Sequence, residues 1–187
     1  MRIISGTLRG RKLLSPKGND VRPTTDKVRE AVFDILYQYT DTDYVVFDVF
    51  AGSGSMGLEA ISRGASKAFF SDNSRESLAL VKENVNICGV GDKAVFLSGD
   101  YLRNIARVKE KVDVYFLDPP YANGYILPAL KAIDEADNIS EDGIVVCEHN
   151  YRDKLPEKTN GFTRVKSRKY GSIGLTFYQR GEREAGE

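Results

Sequence analysis

The chain has 187 residues, of which 41% are apolar and 29% are charged, with 27 basic and 27 acidic side chains. This length and apolar content suit one folded domain and exclude a wholly disordered chain. Two cysteines exclude a disulfide framework, no apolar run approaches the roughly 20 residues that cross a bilayer, and the N-terminus lacks the apolar stretch of a secretory signal. We therefore expect a cytoplasmic protein that does not contact a membrane.

The balanced net charge conceals two basic ends and an acidic middle. Residues 1–30 hold eight Lys and Arg against three acids, and residues 151–180 hold eight against two. Residues 31–150 hold ten bases against nineteen acids. The basic ends are either solvated faces or, if they converge in space, a surface that attracts a polyanion.

Apolar periodicity predicts the elements of the N-terminal part. Arg2–Ser5 and Arg9–Leu14 are predicted to form a short basic hairpin around Gly6. A helix follows, which Pro23 to Asp26 would open, and in which a Thr or an Asp would cap the first amides. Residues 1–40 are therefore expected to form a basic appendage to the rest of the chain.

From Tyr44 onward, buried strands alternate with helices, as in a parallel sheet that is covered on both faces. The predicted strands are 45–50, 67–72, 94–97, 112–118 and 143–149, and the predicted helices are 55–63, 75–87, 101–108 and 126–136. Residues 162–170 and 173–180 alternate around Gly171, which predicts a closing antiparallel hairpin. The predicted fold class is α/β: a doubly wound, mostly parallel seven-stranded sheet over residues 41–180, followed by a disordered tail at 181–187.

A glycine-rich loop follows the first buried strand. Gly52, Gly54 and Gly57 satisfy the G-x-G-x-x-G pattern, and Asp72 ends the next strand about 20 residues further on, where an acid can accept a ribose hydroxyl. The spacing indicates an adenosine-type ligand. Asp48 precedes the glycines and would repel a pyrophosphate, so it favours a ligand with a cationic amino group, although a helix cap also explains an acid there.

Two further acids repeat this strand-end position. Asp100 follows the third predicted strand and Asp118 follows the fourth. Because parallel strands end at one edge of a sheet, these two acids, Asp48 and Asp72 are expected along one rim, where open α/β sheets bind ligands. Each of them alone could also be a helix cap.

Asp118 begins the sequence Asp-Pro-Pro-Tyr, which ends at Tyr121. Two prolines after a strand hold the backbone extended and remove two N–H donors, so that the carbonyl groups become rigid acceptors. Such a corner can accept the hydrogens of an exocyclic amine while the tyrosine ring stacks on the base. A rigid turn with a buried tyrosine is the alternative.

In this order, the glycine loop, the two strand-end acids and Asp-Pro-Pro-Tyr resemble class I S-adenosylmethionine-dependent methyltransferases that modify nucleobase amines. The sequences RIISGTLRGRKL and RPTTDKVREAVFDIL are similar to the bacterial family that methylates the N2 amine of a guanine in small-subunit (16S) ribosomal RNA. The resemblance runs from about Met1 to Arg180.

The resemblance implies a role for several residues. The S-adenosylmethionine site would consist of Asp48, Phe50, Gly52, Gly54, Asp72, Asn73, Asp100 and Tyr101. The guanine would be received by Asp118, Pro119, Pro120 and Tyr121. The RNA contacts would come from Arg9, Arg11, Lys12, Arg22, Thr24, Arg29, Arg168 and Lys169. It further implies a monomer that needs no metal and acts on ribosomal RNA, free or within the small subunit.

Three other functions stay open. An adenine-N6 methyltransferase acting on DNA or RNA could use the same corner, because Asp-Pro-Pro-Tyr suits any exocyclic amine. A non-catalytic RNA-binding protein would need only the basic ends, and a nicotinamide-dependent oxidoreductase would need only the glycine loop.

Overall fold

The computed structural model describes residues 1–16, 25–120 and 124–181. The helices of these ranges are α1 (Asp26–Leu36), α2 (Ser55–Ser62), α3 (Arg75–Cys88), α4 (Tyr101–Arg107) and α5 (Ile126–Ala136). The strands are β1 (Val45–Asp48), β2 (Lys67–Asp72), β3 (Ala94–Ser98), β4 (Val112–Leu117), β5 (Ile139–Asn150), β6 (Lys158–Thr159), β7 (Phe162–Tyr170) and β8 (Ile173–Arg180). In these ranges no helix has both the length and the apolar content that crossing a bilayer requires.

The strands form one mixed sheet in the order β3-β2-β1-β4-β5-β8-β7-β6. The first five strands run parallel, and β6, β7 and β8 are joined to the sheet by antiparallel pairs. After β1, the chain builds outward through β2 and β3, and then returns to place β4 on the other side of β1. The crevice at the carboxyl end of β1 and β4 is therefore the topological switch point of the sheet, where open α/β folds bind ligands.

The sheet has a hydrophobic core on each face. Along β4, Val114 and Phe116 pack into the cluster that contains α1, α2 and α3, and Tyr115 and Leu117 pack into the cluster that contains α4 and α5. This alternation follows from the two-residue period of a strand. It explains why the parallel strands have continuous apolar sequences, as the sequence predicts.

The C-terminal hairpin is confirmed, but the predicted count of seven strands is wrong. An eighth strand, β6, pairs with β7 through Lys158 and Thr159. A two-residue strand is too short for any apolar periodicity to reveal it. Strand β5 also starts earlier than predicted, at Ile139, because Val112 of β4 pairs with Ile139 before a shift of register.

The predicted N-terminal hairpin pairs only over a short stretch. Arg2 and Lys12 form one antiparallel bridge, and the amides of Ile3 and Leu13 donate to the carbonyl groups of Arg11 and Met1, at 2.9 and 3.0 Å. Beyond this stretch, the amides of Ile4 and Ser5 donate to the Glu59 carboxylate, at 2.8 and 3.0 Å. Gly6 has a φ of +83° and lies so close to the end of α2 that a Cβ atom would stand 1.8 Å from the Ser62 carbonyl oxygen. Contacts with α2 therefore shorten the ladder that the sequence predicts.

Candidate active site

A cleft of about 680 Å³ opens at the switch point. Asp48, Asp72, Asp100 and Asp118 all line it, together with Pro119 and Pro120. The structure thus brings the four strand-end acids to one rim. Of the other residues that the resemblance assigns to the cofactor, Phe50, Gly52, Asn73 and Tyr101 also line the cleft.

Asp48 ends β1 and is the most deeply buried of the four acids, with 2% of its surface exposed. Its Oδ2 accepts a hydrogen bond from the Gly57 amide in the first turn of α2, at 3.3 Å. Burial raises the pKa of this carboxyl to about 7, and the nearby charges of Asp118 and Asp72 add to the increase. A cation that lies beside Asp48 would lower this pKa and favour the ionised carboxylate.

Asp72 ends β2 and connects the glycine loop to the start of α3. Its Oδ2 accepts from the Gly52 amide at 3.0 Å, and its Oδ1 accepts from the Ser74 amide at 2.9 Å. Each carboxylate oxygen has a second lone pair, so the group can still accept from a diol in the cleft. Asp72 therefore both shapes the loop and offers acceptors to a ligand.

Asp100 is the N-cap of α4, where its Oδ1 accepts from the Arg103 amide at 3.0 Å. Asp100 therefore both caps α4 and lines the cleft, because this helix starts at the rim. Buried Asn104 fixes this corner by donating to Ser71 Oγ at 2.9 Å and to the carbonyl groups of Leu97 and Gly99.

Gly54 does not line the cleft, unlike the other glycine assigned to the cofactor. It precedes α2 with a φ of +79°, and a Cβ atom there would lie 2.9 Å from a methyl group of Val81. Its contribution is to let the backbone turn tightly into the helix against α3.

The Pro119–Pro120 corner separates the cleft from a second pocket of about 330 Å³. Both prolines line both cavities, whereas Asp118 lines only the cleft and Glu148 lines only the second pocket. The two cavities therefore share a wall at this corner. Tyr121 lies outside the described residues, so its predicted stacking role stays a prediction.

Three aromatic rings pack together at the mouth of the cleft. Phe50 and Tyr101 have ring centroids 5.1 Å apart, and Tyr125 contacts them at 5.8 and 5.7 Å. Tyr125 lines both cavities and is absent from the sequence-based assignment. Its place in the short segment between the two prolines and α5 is the signal that could have drawn attention to it.

The predicted RNA contacts divide into two exposed groups. Arg9, Arg11 and Lys12 are exposed on the N-terminal segment, and Arg168 and Lys169 are exposed on β7. Arg22 and Thr24 lie outside the described residues.

Arg29 differs from its predicted role as an RNA contact, because its side chain is completely buried. It donates to the Arg2 carbonyl and to Asp26 Oδ1, and its Nε lies 3.8 Å from Glu59 Oε2. Burial lowers the pKa of this guanidinium, and the Glu59 charge opposes that shift. Arg29 therefore attaches the N-terminal segment to α1 and α2, and its buried guanidinium is not accessible to an RNA phosphate.

Comparison with known proteins decides the family. The family model described as "Conserved hypothetical protein 95" matches residues 1–179. The chain belongs to this family. YlbH of Bacillus subtilis, provisionally named an rRNA methyltransferase, is 34% identical over 96% of this chain and 99% of that protein. Ribosomal RNA small subunit methyltransferase D of Escherichia coli K12 is 29% identical over 96% of this chain and 90% of that protein.

Solved structures agree with the family. The Escherichia coli protein yhhF, provisionally titled a methyltransferase, matches with a TM-score of 0.87 and 27% identity over 98% of this chain and 99% of that one. The ribosomal protein L11 methylase of Lactobacillus delbrueckii matches at 21% identity with a TM-score of 0.69, over 85% of this chain and 81% of that one, which shows the shared fold. The predicted methyltransferase is therefore confirmed for this member of the family.

Metal binding finds no support within residues 1–16, 25–120 and 124–181. No group of three or more His, Cys, Asp or Glu side chains there is arranged to hold a metal ion.

Proposed function

We propose that this methyltransferase transfers a methyl group from S-adenosylmethionine to the N2 amine of a guanine in small-subunit ribosomal RNA. The observation that carries the proposal is the acid-lined cleft that ends at the Pro119–Pro120 corner, in a chain whose relatives are named for small-subunit ribosomal RNA methylation. Residues 1–40 would be a basic appendage to the methyltransferase domain, and the protein would act as a cytoplasmic monomer on free RNA or on a subunit.

The residues of the cleft fit S-adenosylmethionine. The cofactor carries a cationic amino group. Asp48 is a buried carboxyl with a raised pKa, and a cation beside it would lower that pKa again. Asp72 would accept from the ribose hydroxyls, with Asn73 beside it, and Asp100 would accept from the adenine amine. Phe50 and Tyr101 offer apolar ring surface at the same end of the cleft.

When bound, S-adenosylmethionine supplies a methyl group that its sulfonium has already activated. The task of the chain is therefore to prepare the acceptor amine, whose lone pair is delocalised into the guanine ring. The Asp118 carboxylate and the Pro119 carbonyl would accept one hydrogen each from the amine, which favours a pyramidal nitrogen and exposes its lone pair. Positioning the reacting atoms within about 3–3.5 Å contributes several kcal/mol to lowering the barrier.

No strong base is needed, because the amine becomes acidic once it carries the new methyl group and its proton can pass to water. The base must first leave its stack, which costs a few kcal/mol. The exposed cations of the N-terminal segment and of β7 would offset this cost by contacting phosphates.

The test supplies tritiated S-adenosylmethionine to small subunits and to naked small-subunit RNA that lack the modification. Labelled N2-methylguanosine after nucleoside digestion is the expected product. Labelled N6-methyladenosine would instead establish the adenine-specific alternative, and RNA binding without incorporation of label would contradict an enzymatic role.

A further inference from the structure

The pocket beyond the Pro119–Pro120 corner holds a carboxylate that the proposed chemistry does not use. Glu148 lines this pocket near the end of β5, and only 8% of its surface is exposed. We propose that Glu148 is a specificity-determining residue that accepts the N1–H of the acceptor guanine and thereby excludes adenine. This inference rests on the proposed function and assigns the base selectivity of the same site.

The sheet places Glu148 beside Asp118. Leu117, the last residue of β4, pairs in parallel register with Cys147 of β5, so Asp118 directly follows β4 beside Glu148 of β5. Neighbouring strands lie about 4.8 Å apart, and residues in parallel register belong to the same face. Asp118 and Glu148 therefore occupy adjacent positions where β4 ends beside β5, and Asp118 lines the cleft while Glu148 lines the second pocket.

This spacing suits the Watson–Crick edge of guanine. Its N1–H and its N2 amine are bonded to the same ring carbon, so the two donors are adjacent. When Asp118 and the Pro119 carbonyl hold the N2 amine, N1–H is the next donor along the Watson–Crick edge. In this arrangement N1–H would face Glu148 of the neighbouring strand, β5. Adenine has an unprotonated N1, whose lone pair would face the Glu148 carboxylate, so two acceptors would repel each other where guanine donates a hydrogen bond.

The end of β5 is held rigidly behind Glu148. His149 Nδ1 lies 2.8 Å from the Asn150 carbonyl oxygen, which can only accept, so Nδ1 carries the proton. His149 Nε2 can then accept from the Thr176 hydroxyl at 2.9 Å. The ring lies over Gly174, where a Cβ atom would stand 2.6 Å from the His149 Cε1 atom. A fixed strand end gives Glu148 the precise position that discrimination between bases requires.

Asp153 is the second carboxylate that borders this pocket, and it provides a matched comparison. It lies on the loop after β5 and is exposed, whereas Glu148 is buried. Water competes for hydrogen bonds with an exposed carboxylate, so only the buried one should discriminate strongly.

The test compares two synthetic fragments of small-subunit RNA, which carry either guanosine or 2-aminopurine at the position that the wild type methylates. 2-Aminopurine keeps the 2-amino group but has an unprotonated N1. We expect the wild type to prefer guanosine by 100-fold or more in kcat/KM. In Glu148→Gln, activity on guanosine should fall by roughly 10- to 100-fold, and the preference should shrink at least tenfold because the glutamine amide can donate to N1.

The ratio of the two preferences cancels the different intrinsic reactivities of the two bases. Asp153→Asn should keep the wild-type preference, and all three proteins should bind S-adenosylhomocysteine alike. An unchanged preference in Glu148→Gln, or a loss of preference in Asp153→Asn, would overturn the assignment. If Glu148→Gln fails to fold, similar wild-type rates on the two fragments would still refute it. A wild type that modifies no guanosine refutes the proposed function itself.

Discussion

Asp48 has a charge that depends on what occupies the cleft. Its pKa is raised to about 7 in the folded chain, from 3.8 when unperturbed, so the folded state binds more protons than the unfolded state between about pH 4 and 7. The free energy of unfolding should therefore fall as pH rises through this window, by at most about 4 kcal/mol. Urea unfolding at several pH values, without cofactor, measures this.

Asp48→Asn should remove that part of the pH dependence. The exposed Asp142→Asn serves as the control and should retain it. If Asp48→Asn and the wild type lost stability in parallel over this window, the raised pKa would be contradicted.

Asp72 offers a second test at the scale of one residue. Asp72→Ala removes a proposed charge-assisted bond to the ribose and the two amide contacts that shape the loop. S-adenosylhomocysteine should bind roughly 10- to 100-fold more weakly in a calorimetric titration. Unchanged affinity, with a loss in Asn73→Ala, would transfer the role to Asn73.

The N-terminal segment is held, among other contacts, by one buried amide side chain. Asn84 of α3 accepts from the Leu14 amide at 2.8 Å and donates to the carbonyl groups of Leu14 and Ser53, at 3.0 and 2.9 Å. It therefore ties this segment to the glycine loop. Asn84→Ala should lower the free energy of unfolding by about 1–3 kcal/mol in urea titration, because it leaves the buried Ser53 carbonyl and the two partly buried backbone groups of Leu14 without this partner.

Asn86→Ala is the matched control for that measurement, since Asn86 is exposed two residues further along α3. It should change stability by less than about 0.5 kcal/mol. Equal effects of the two substitutions would mean that helix propensity, and not the tie to the loop, is being measured.

The same segment carries the exposed cations Arg9, Arg11 and Lys12. Reversing all three to Glu should weaken RNA binding and flatten its dependence on salt, with affinity for S-adenosylhomocysteine unchanged. The control reverses three other exposed cations, Lys82, Lys109 and Lys131. If both triple variants lost RNA affinity equally, the effect would be one of net charge and not of this segment.

Elements with a full apolar period were predictable from the sequence, and elements that depend on distant partners were not. The parallel strands and the C-terminal hairpin follow from local patterns. The N-terminal hairpin is shorter than predicted, because the amides of Ile4 and Ser5 donate to Glu59, more than 50 residues away in sequence. Arg29 looks like an RNA contact in the sequence, but the same carboxylate helps to bury it within the fold.

For the whole molecule, the crossover of the chain at β1 decides where the site lies. The rim of four acids could be predicted, because parallel strands end at one edge whatever their order. The second pocket could not, because it depends on the pairing of β4 with β5 and on the return of β8 beside β5. Asp118 lines the cleft directly before the Pro119–Pro120 corner, and it is the residue on which the proposed chemistry depends most.

Single-turnover methyl transfer by Asp118→Ala on saturating RNA tests that dependence most directly. The carboxylate acts mainly once the amine becomes pyramidal, so its loss falls on the transition state. We expect the rate to fall by about 100-fold or more, while the affinities for S-adenosylhomocysteine and for RNA stay within about tenfold of the wild type. A near-normal single-turnover rate would show that Asp118 and the prolines form only a structural turn, and would contradict the mechanism.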